Sequence, residues 1–482
     1  MGTYFIINTE CKQRYSKFDG LNYRIPDYSR EEAEKVAYEL NQQAGKELFR
    51  PISIQEWLSK TYDWENKYSG GEIEKIIESF NEKPEIKKLR EDIYEQNNNY
   101  INGIELPIVV NCNEEYIKKA KCTIDFFFSQ VNKPAFSSQE GLVQCVNDIC
   151  EKTKEALDNI LKENTSKVDE IIESIINKHY SNDFLVSDLD KSYSLRGLAP
   201  FKDLHTPYHE KKYDDMNAHQ IELFRGRPSE KGEKLTNLSD IVHVPYSRLS
   251  SAKDGRFSTK GSACLYLGTT SYVCYMECGM KDNDNSDFYI SCFIPNEKGK
   301  KLKILNLTVS QHLINGLSRN RTIQNELLKI FPLIIATSFS INNDNEGRAK
   351  FEYVISQSLM RVIGKNEIDG VAYLSCKGID SFQYPHGVNL AIPVNDIHEG
   401  KEYGKICSAF SMTYPVAINM ADLNDTPIKK TTYINEMYND SSNIMSYIHY
   451  PGSDDKYLEY AKTKFSRRDN YMVNREFVDF SE

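Results

Sequence analysis

Four short runs hold the side chains best suited to bind and transform a charged ligand: ELFRGRP (222–228), GRFSTKGSACLYLGTTSYVCYMECG (255–279), IDGVAYLS (368–375) and HGVNLAIP (386–393). Arg225 and Arg256 each stand beside an aromatic residue and close to glycines. Glycine lets backbone approach a ligand, and two guanidiniums suit a pyrophosphate through bidentate contacts. Tyr266, inside an apolar strand-like run, can offer its ring face to a heterocycle. Glu277 lies one turn beyond Val273 and Cys274, which would turn its carboxylate toward the core side, where an unpaired charge is costly. Ser375 ends a strand-like run, the place where α/β folds put ligand-contacting groups. Taken singly, each has a plainer reading. Arg225 can be a surface ion-pair partner, Arg256 part of a structural turn, and Tyr266 a core aromatic. Glu277 can be a solvated charge and Ser375 a strand terminator. The order and spacing of the whole set carry the inference.

The elements that must position these residues change character along the chain. TYFIINT (3–9) reads as a strand, and from Asp27 the texture is helical. YSREEAEKVAYEL opens on Ser29 as a candidate N-cap with acidic residues behind it. GEIEKIIESFNEKPEIKKLREDIY is amphipathic with a break at Pro84. NEEYIKKAKCTIDFFFSQV, SSQEGLVQCVNDICEKTKEALDNIL and SKVDEIIESIINKHY repeat apolar residues every three or four positions. Residues 27–180 therefore read as an all-α bundle of about five or six helices. Residues 181–220 mix turn formers and charge and read as a linker. Beyond them ACLYLGT, FYISCFIP, LKILNL, GVAYLS and VNLAIPV look like strands, while TSYVCYMEC and FEYVISQSLMRVI look helical. A further strand is expected near Ile406–Met412, followed by a charged, Tyr-rich tail. The expected organisation is α+β overall. A helical N-terminal domain (1–205) is followed by a mixed α/β domain (215–412) and a C-terminal extension (413–482).

Composition excludes several classes. Of 482 residues 40% are hydrophobic and 27% charged, as in a folded protein. A net charge of −10 without a long Lys/Arg block argues against nucleic acid as the main partner. The eleven cysteines include no C-x-x-C pair, so reduced, mostly buried thiols are expected and no metal site. The opening MGTYFIINTECK lacks the basic stretch and apolar run of a signal peptide. LLKIFPLIIATSF (327–339) is too short to span a membrane and contains Pro332. A cytoplasmic location without membrane attachment is expected.

The set of motifs resembles the RES domain, a family named for its Arg, Glu and Ser. The chain supplies Phe224-Arg225, then Gly255-Arg256-Phe257 with Gly261, then Leu265-Tyr266-Leu267 and Glu277. Later come Gln357, Asp369-Gly370-Val371 with Tyr373 and Ser375, and Gly387 with Asn389. Ser258 stands where the family often has Asn. The resemblance implies a fold similar to mono-ADP-ribosyltransferases and a toxin-like enzyme that consumes NAD+. On it, Arg225 and Arg256 bind the dinucleotide phosphates, Tyr266 contacts the nicotinamide side, and Glu277 and Ser375 complete the site. Gly255 and Asn389 join Arg225, Arg256 and Tyr266 in the dinucleotide-binding set. The implied activity is an NAD+ glycohydrolase or phosphorylase acting as a bacterial toxin or antiphage defence effector. NAD+ is then the substrate, and neither a cofactor nor a metal is required. The alternative is an ADP-ribosyltransferase modifying a protein or nucleic acid. The absence of a G-x-G-x-x-G run fits consumption of NAD+ better than hydride transfer. Larger RES proteins carry helical N-terminal domains, some HEPN-like. An RNase role for 27–180 is disfavoured, because its sole histidine, His179, has no arginine nearer than Arg90. The expected partners are an inhibitor, such as the helix-turn-helix antitoxin of RES–Xre systems, and further copies of the chain as a homo-oligomer.

Overall fold

The computed structural model describes most of residues 101–482 and, before them, 4–8, 17–18, 23–24, 30–44 and 49–53. The helical run expected over 71–94 and most of the linker expected over 181–220 lie outside the described residues.

Strand β1 (Tyr4–Asn8), helix α1 (Arg30–Ala44) and strand β2 (Phe49–Ser53) come first, with β1 and β2 antiparallel. Strand β3 (Ile108–Val110) precedes three long helices, α2 (Asn113–Val131), α3 (Glu140–Leu161) and α4 (Thr165–His179), where the apolar periodicity predicts them. Glu114 and Glu115 in the first turn of α2 complement its dipole, and Asn164 caps α4 by accepting from the Lys167 amide at 3.2 Å. The expected linker is not featureless. Its described part holds strand β4 (Val186–Asp188), too short to stand out in the sequence.

Strands β5 (Leu223–Ser229), β6 (Cys264–Gly268), β7 (Asp287–Pro295) and β8 (Lys303–Leu307) follow, with α5 (Ser271–Glu277) between β6 and β7. Next comes α6 (Arg321–Thr337), which runs on through Pro332 and is made largely of the apolar run 327–339. Leu328, Phe331, Leu333, Ile334 and Ile335 are buried, so this run is a core helix. After it come β9 (Phe339–Ile341), α7 (Phe351–Ile363), β10 (Gly370–Leu374) and β11 (Val388–Pro393). The strand expected near 406–412 is confined to β12 (Phe410–Met412), because 405–409 forms a 3-10 turn. The extension adds β13 (Val416–Ala417), α8 (Lys464–Val473) and β14 (Val478–Asp479).

The architecture is α+β. One sheet of ten strands runs β14-β12-β7-β5-β6-β11-β10-β8-β4, with β13 also on β7. Its pairs are antiparallel except β8 with β10. On one face α6 and α7 pack together with α2, α3 and α4 in a continuous apolar core that reaches from Ile101 to Met412. On the other face α5 and α8 bury Tyr272, Tyr275, Phe288, Phe465 and Met472. Among the described residues no helix is long and apolar enough to cross a membrane.

Candidate functional site

Strand register decides which side chains meet. Tyr373 lies opposite Asn389, Asn389 opposite Gly268, and Gly268 opposite Phe224, so four strands bring one row of residues to a common edge. Along that row a cavity of about 450 Å3 is lined by Arg225, Gly255, Arg256, Tyr266, Glu277 and Asn389. The residues singled out in the sequence therefore converge, with one displacement. Ser375 does not line the cavity, but it bonds to a residue that does.

Arg225, half-buried on β5, donates from Nη1 to the Tyr266 carbonyl at 2.8 Å, while its Nε has no partner among the described residues. Burial pushes its pKa down. Arg256 donates from Nη1 to the Leu374 carbonyl at 3.2 Å and sits 5.6 Å and 5.5 Å from the Phe257 and Tyr373 ring centroids. Among the described residues its Nε is also without a partner. Among the described residues neither guanidinium pairs with a carboxylate. A partly desolvated cation without a counter-ion is costly, and an anionic ligand is what relieves it.

Arg256 belongs to a tight turn. The Gly255 amide donates to the Ser258 carbonyl at 2.9 Å, and Gln357 Nε2 donates to the Gly255 carbonyl at 3.1 Å, the Ser258 carbonyl at 3.3 Å and Asp254 Oδ1 at 3.1 Å. The Tyr266 hydroxyl donates to Ser258 Oγ at 2.9 Å, so its polar end is committed to the turn while the ring borders the cavity. Gly255 is required there: a Cβ would lie 2.6 Å from Ser258 Oγ and 2.8 Å from the Tyr266 oxygen.

Glu277 ends α5, which the Thr270 hydroxyl caps by accepting from the Val273 amide at 3.2 Å. Its carboxylate does not turn into the core as the helical spacing suggests. The residue is exposed at the cavity, because the helix stops there at Cys278 and Gly279. Glu277 Oε1 accepts from Ser375 Oγ at 2.7 Å and from Asn389 Nδ2 at 2.7 Å. The Lys377 amide donates to Ser375 Oγ at 3.1 Å, which leaves the serine proton for the glutamate. Ser375 and Asn389, 6% and 5% exposed, thus hold the acid in place. The Cys274 thiol binds the Phe224 carbonyl at 3.2 Å and ties α5 to β5.

Part of the wall carries no mark in the sequence. Phe339, Ser340 and Ile341 of β9, then Lys350, Glu352 and Tyr353, line the cavity opposite the sheet edge. Glu352 is only 3% exposed. These residues belong to no motif, and β9 is held by pairing with β3 from far up the chain. Cys274, Cys278 and Cys376 also line the cavity. Burial pushes Cys278 up to about 11, so it supplies no thiolate near neutral pH. Among the described residues no group of three or more His, Cys, Asp or Glu side chains is arranged to hold a metal.

Over 267 residues, 52% of this chain and 56% of the relative, the chain is 26% identical to a Bacillus subtilis (strain 168) protein described as "Putative toxin YopC". It spans little more than half the length of that curated relative. No family model and no solved structure matches the chain.

Proposed function

We propose that the protein is an NAD+-degrading enzyme that breaks the nicotinamide–ribose bond and acts as a toxin or defence effector. One observation carries the reading: Arg225, Arg256, Tyr266 and Glu277 border a single cavity in which both guanidiniums lack a counter-ion among the described residues. A volume of about 450 Å3 falls within the range of small-molecule sites. The resemblance to RES domains supports the substrate, and the name of the Bacillus subtilis relative supports the toxin role.

The chemistry follows from the bond. Nicotinamide is a pyridinium in NAD+, so its departure leaves an oxocarbenium-like ribose and a neutral base that needs no proton. The role assigned to Glu277 is to stabilise that cation, an effect worth ~3–4 kcal/mol for a well-placed group. Arg225 and Arg256 would grip the diphosphate and hold the ribose in attack geometry. Water or phosphate then takes the ribose carbon. A protein or nucleic-acid acceptor would make the enzyme an ADP-ribosyltransferase instead. A cell that makes such an enzyme needs an inhibitor, and a small antitoxin is the proposed partner.

The deciding experiment incubates the full-length protein with NAD+, with and without phosphate, and identifies the products. Free nicotinamide with ADP-ribose or its 1-phosphate supports the proposal. Nicotinamide matched by labelled macromolecule would move the reading to transfer, and no nicotinamide release at all would sink it.

A further inference from the structure

We propose that the N-terminal helices are a working part of the cavity, in which Asp169 and Gln357 act in series as positioning residues for Arg256. Each link is a direct contact. Asp169 on α4 accepts from Arg361 Nε at 2.9 Å and Nη2 at 2.8 Å and from Ser358 Oγ at 2.6 Å. Three charge-assisted bonds, two of them a bidentate fork, fix α7 against α4 in rotation and in height. With α7 so fixed, the Gln357 amide reaches three oxygens of the 254–258 turn that bears Arg256. A shift of α7 by 1 Å would break that clamp, since none of the three bonds is shorter than 3.1 Å.

The same helices hold the opposite wall. Strand β3 pairs in parallel with β9, Phe339 to Ile108 and Ile341 to Val110. The Tyr116 hydroxyl on α2 donates to the Ala336 carbonyl at 2.9 Å, and its ring meets Phe339 edge-on at 5.0 Å. Asn113 Nδ2 donates to the Ala349 carbonyl at 3.0 Å, next to Lys350 at the cavity. Both ends of the stretch that carries β9 are therefore pinned to α2. Residues more than 80 positions upstream of Arg256 in sequence set the geometry of its pocket.

The substrate named in the test rests on the proposed function, but the positioning role does not. In the full-length protein, Gln357→Ala should raise the KM for NAD+ on the order of 10-fold with a smaller fall in kcat, because the loosened turn weakens the Arg256 grip on the diphosphate more than it disturbs the reacting bond. Gln357→Glu should be worse, since it replaces the donor with carboxylate oxygens that repel the three acceptors of the turn. Asp169→Asn should move KM in the same direction by less. In an Arg256→Ala background Gln357→Ala should add less than about 2-fold, the non-additivity of residues acting through one group. Full additivity with Arg256→Ala, or a fall in kcat and melting temperature with KM unmoved, would overturn the proposal. Should the wild-type protein release no nicotinamide, the enzymatic reading fails by itself. Calorimetric binding of ADP-ribose to the same variants then serves as the readout, with a 10-fold weakening expected for Gln357→Ala and wild-type affinity overturning it.

Discussion

Glu277 presents its two carboxylate oxygens to different surroundings. Oε1 accepts from Ser375 and Asn389, and Oε2 takes no hydrogen bond among the described residues. An acid held on one side and open on the other can stabilise a developing cation without first reorganising. Glu277→Gln keeps shape and hydrogen-bonding capacity but removes charge, so nicotinamide release should fall about 10²–10³-fold while the melting temperature stays within a few degrees. Ser375→Ala removes one of two restraints and should cost less, about 10-fold in kcat. A Ser375→Ala effect equal to that of Glu277→Gln would mean that the serine acts on substrate itself. The motif order in the sequence located all these residues. It did not reveal the division of roles, in which the serine holds the glutamate, because hydrogen-bond partners 98 residues apart leave no local mark.

Helix α5 carries Glu277, and its N-terminus is set by the extension. Asp469 on α8 accepts from the Ser271 amide at 3.0 Å and from the Tyr460 hydroxyl at 2.5 Å. Burial pushes the Asp469 carboxyl up to about 7, against the lowering effect of these bonds and of Arg468. Its pKa is higher folded than unfolded, so its stabilising contribution is complete below the unfolded value of 3.8 and is lost as pH rises through about 7. The loss across that window is on the order of 4 kcal/mol, and the native state should melt lower at pH 8 than at pH 5 on this account. Asp469→Asn keeps an acceptor and removes the titration. Melting curves from pH 5 to 8 should flatten in that variant, and an unchanged slope would show that another group is responsible. Nothing in KFSRRDNYMV announces this role, because Asp469 and Asn470 read as solvent-facing and are buried.

At the scale of the whole molecule, α2, α3 and α4 share one core with α6, α7 and the sheet. Removing them uncovers the faces of α6 and α7 that pack on them, including buried Phe331, which meets Phe127 of α2 at 5.1 Å. An apolar face of this size promotes association. A fragment of residues 215–482 should therefore aggregate or bind a hydrophobic dye strongly, whereas the full chain stays monodisperse. A fragment that is soluble and melts cooperatively would establish an independent unit instead. The extension likewise roofs the second face of the sheet through Phe465 and Met472.

Whatever depends on near neighbours was legible in the residue order. Apolar residues at helical spacing marked 113–131, 140–161 and 165–179, short apolar runs between turn formers marked the central strands, and motif order marked Arg225, Arg256, Tyr266, Glu277 and Ser375. What depends on distant partners emerged with the folded chain. It placed β4 and β9 as strands, since a three-residue strand exists only through its pairing. It also put Asp469 beneath α5, seated the Gln357 clamp and built the cavity wall at Lys350–Tyr353. Burial of polar groups far apart in sequence is settled by packing and not by spacing, which is why these contacts stayed hidden until the chain was folded.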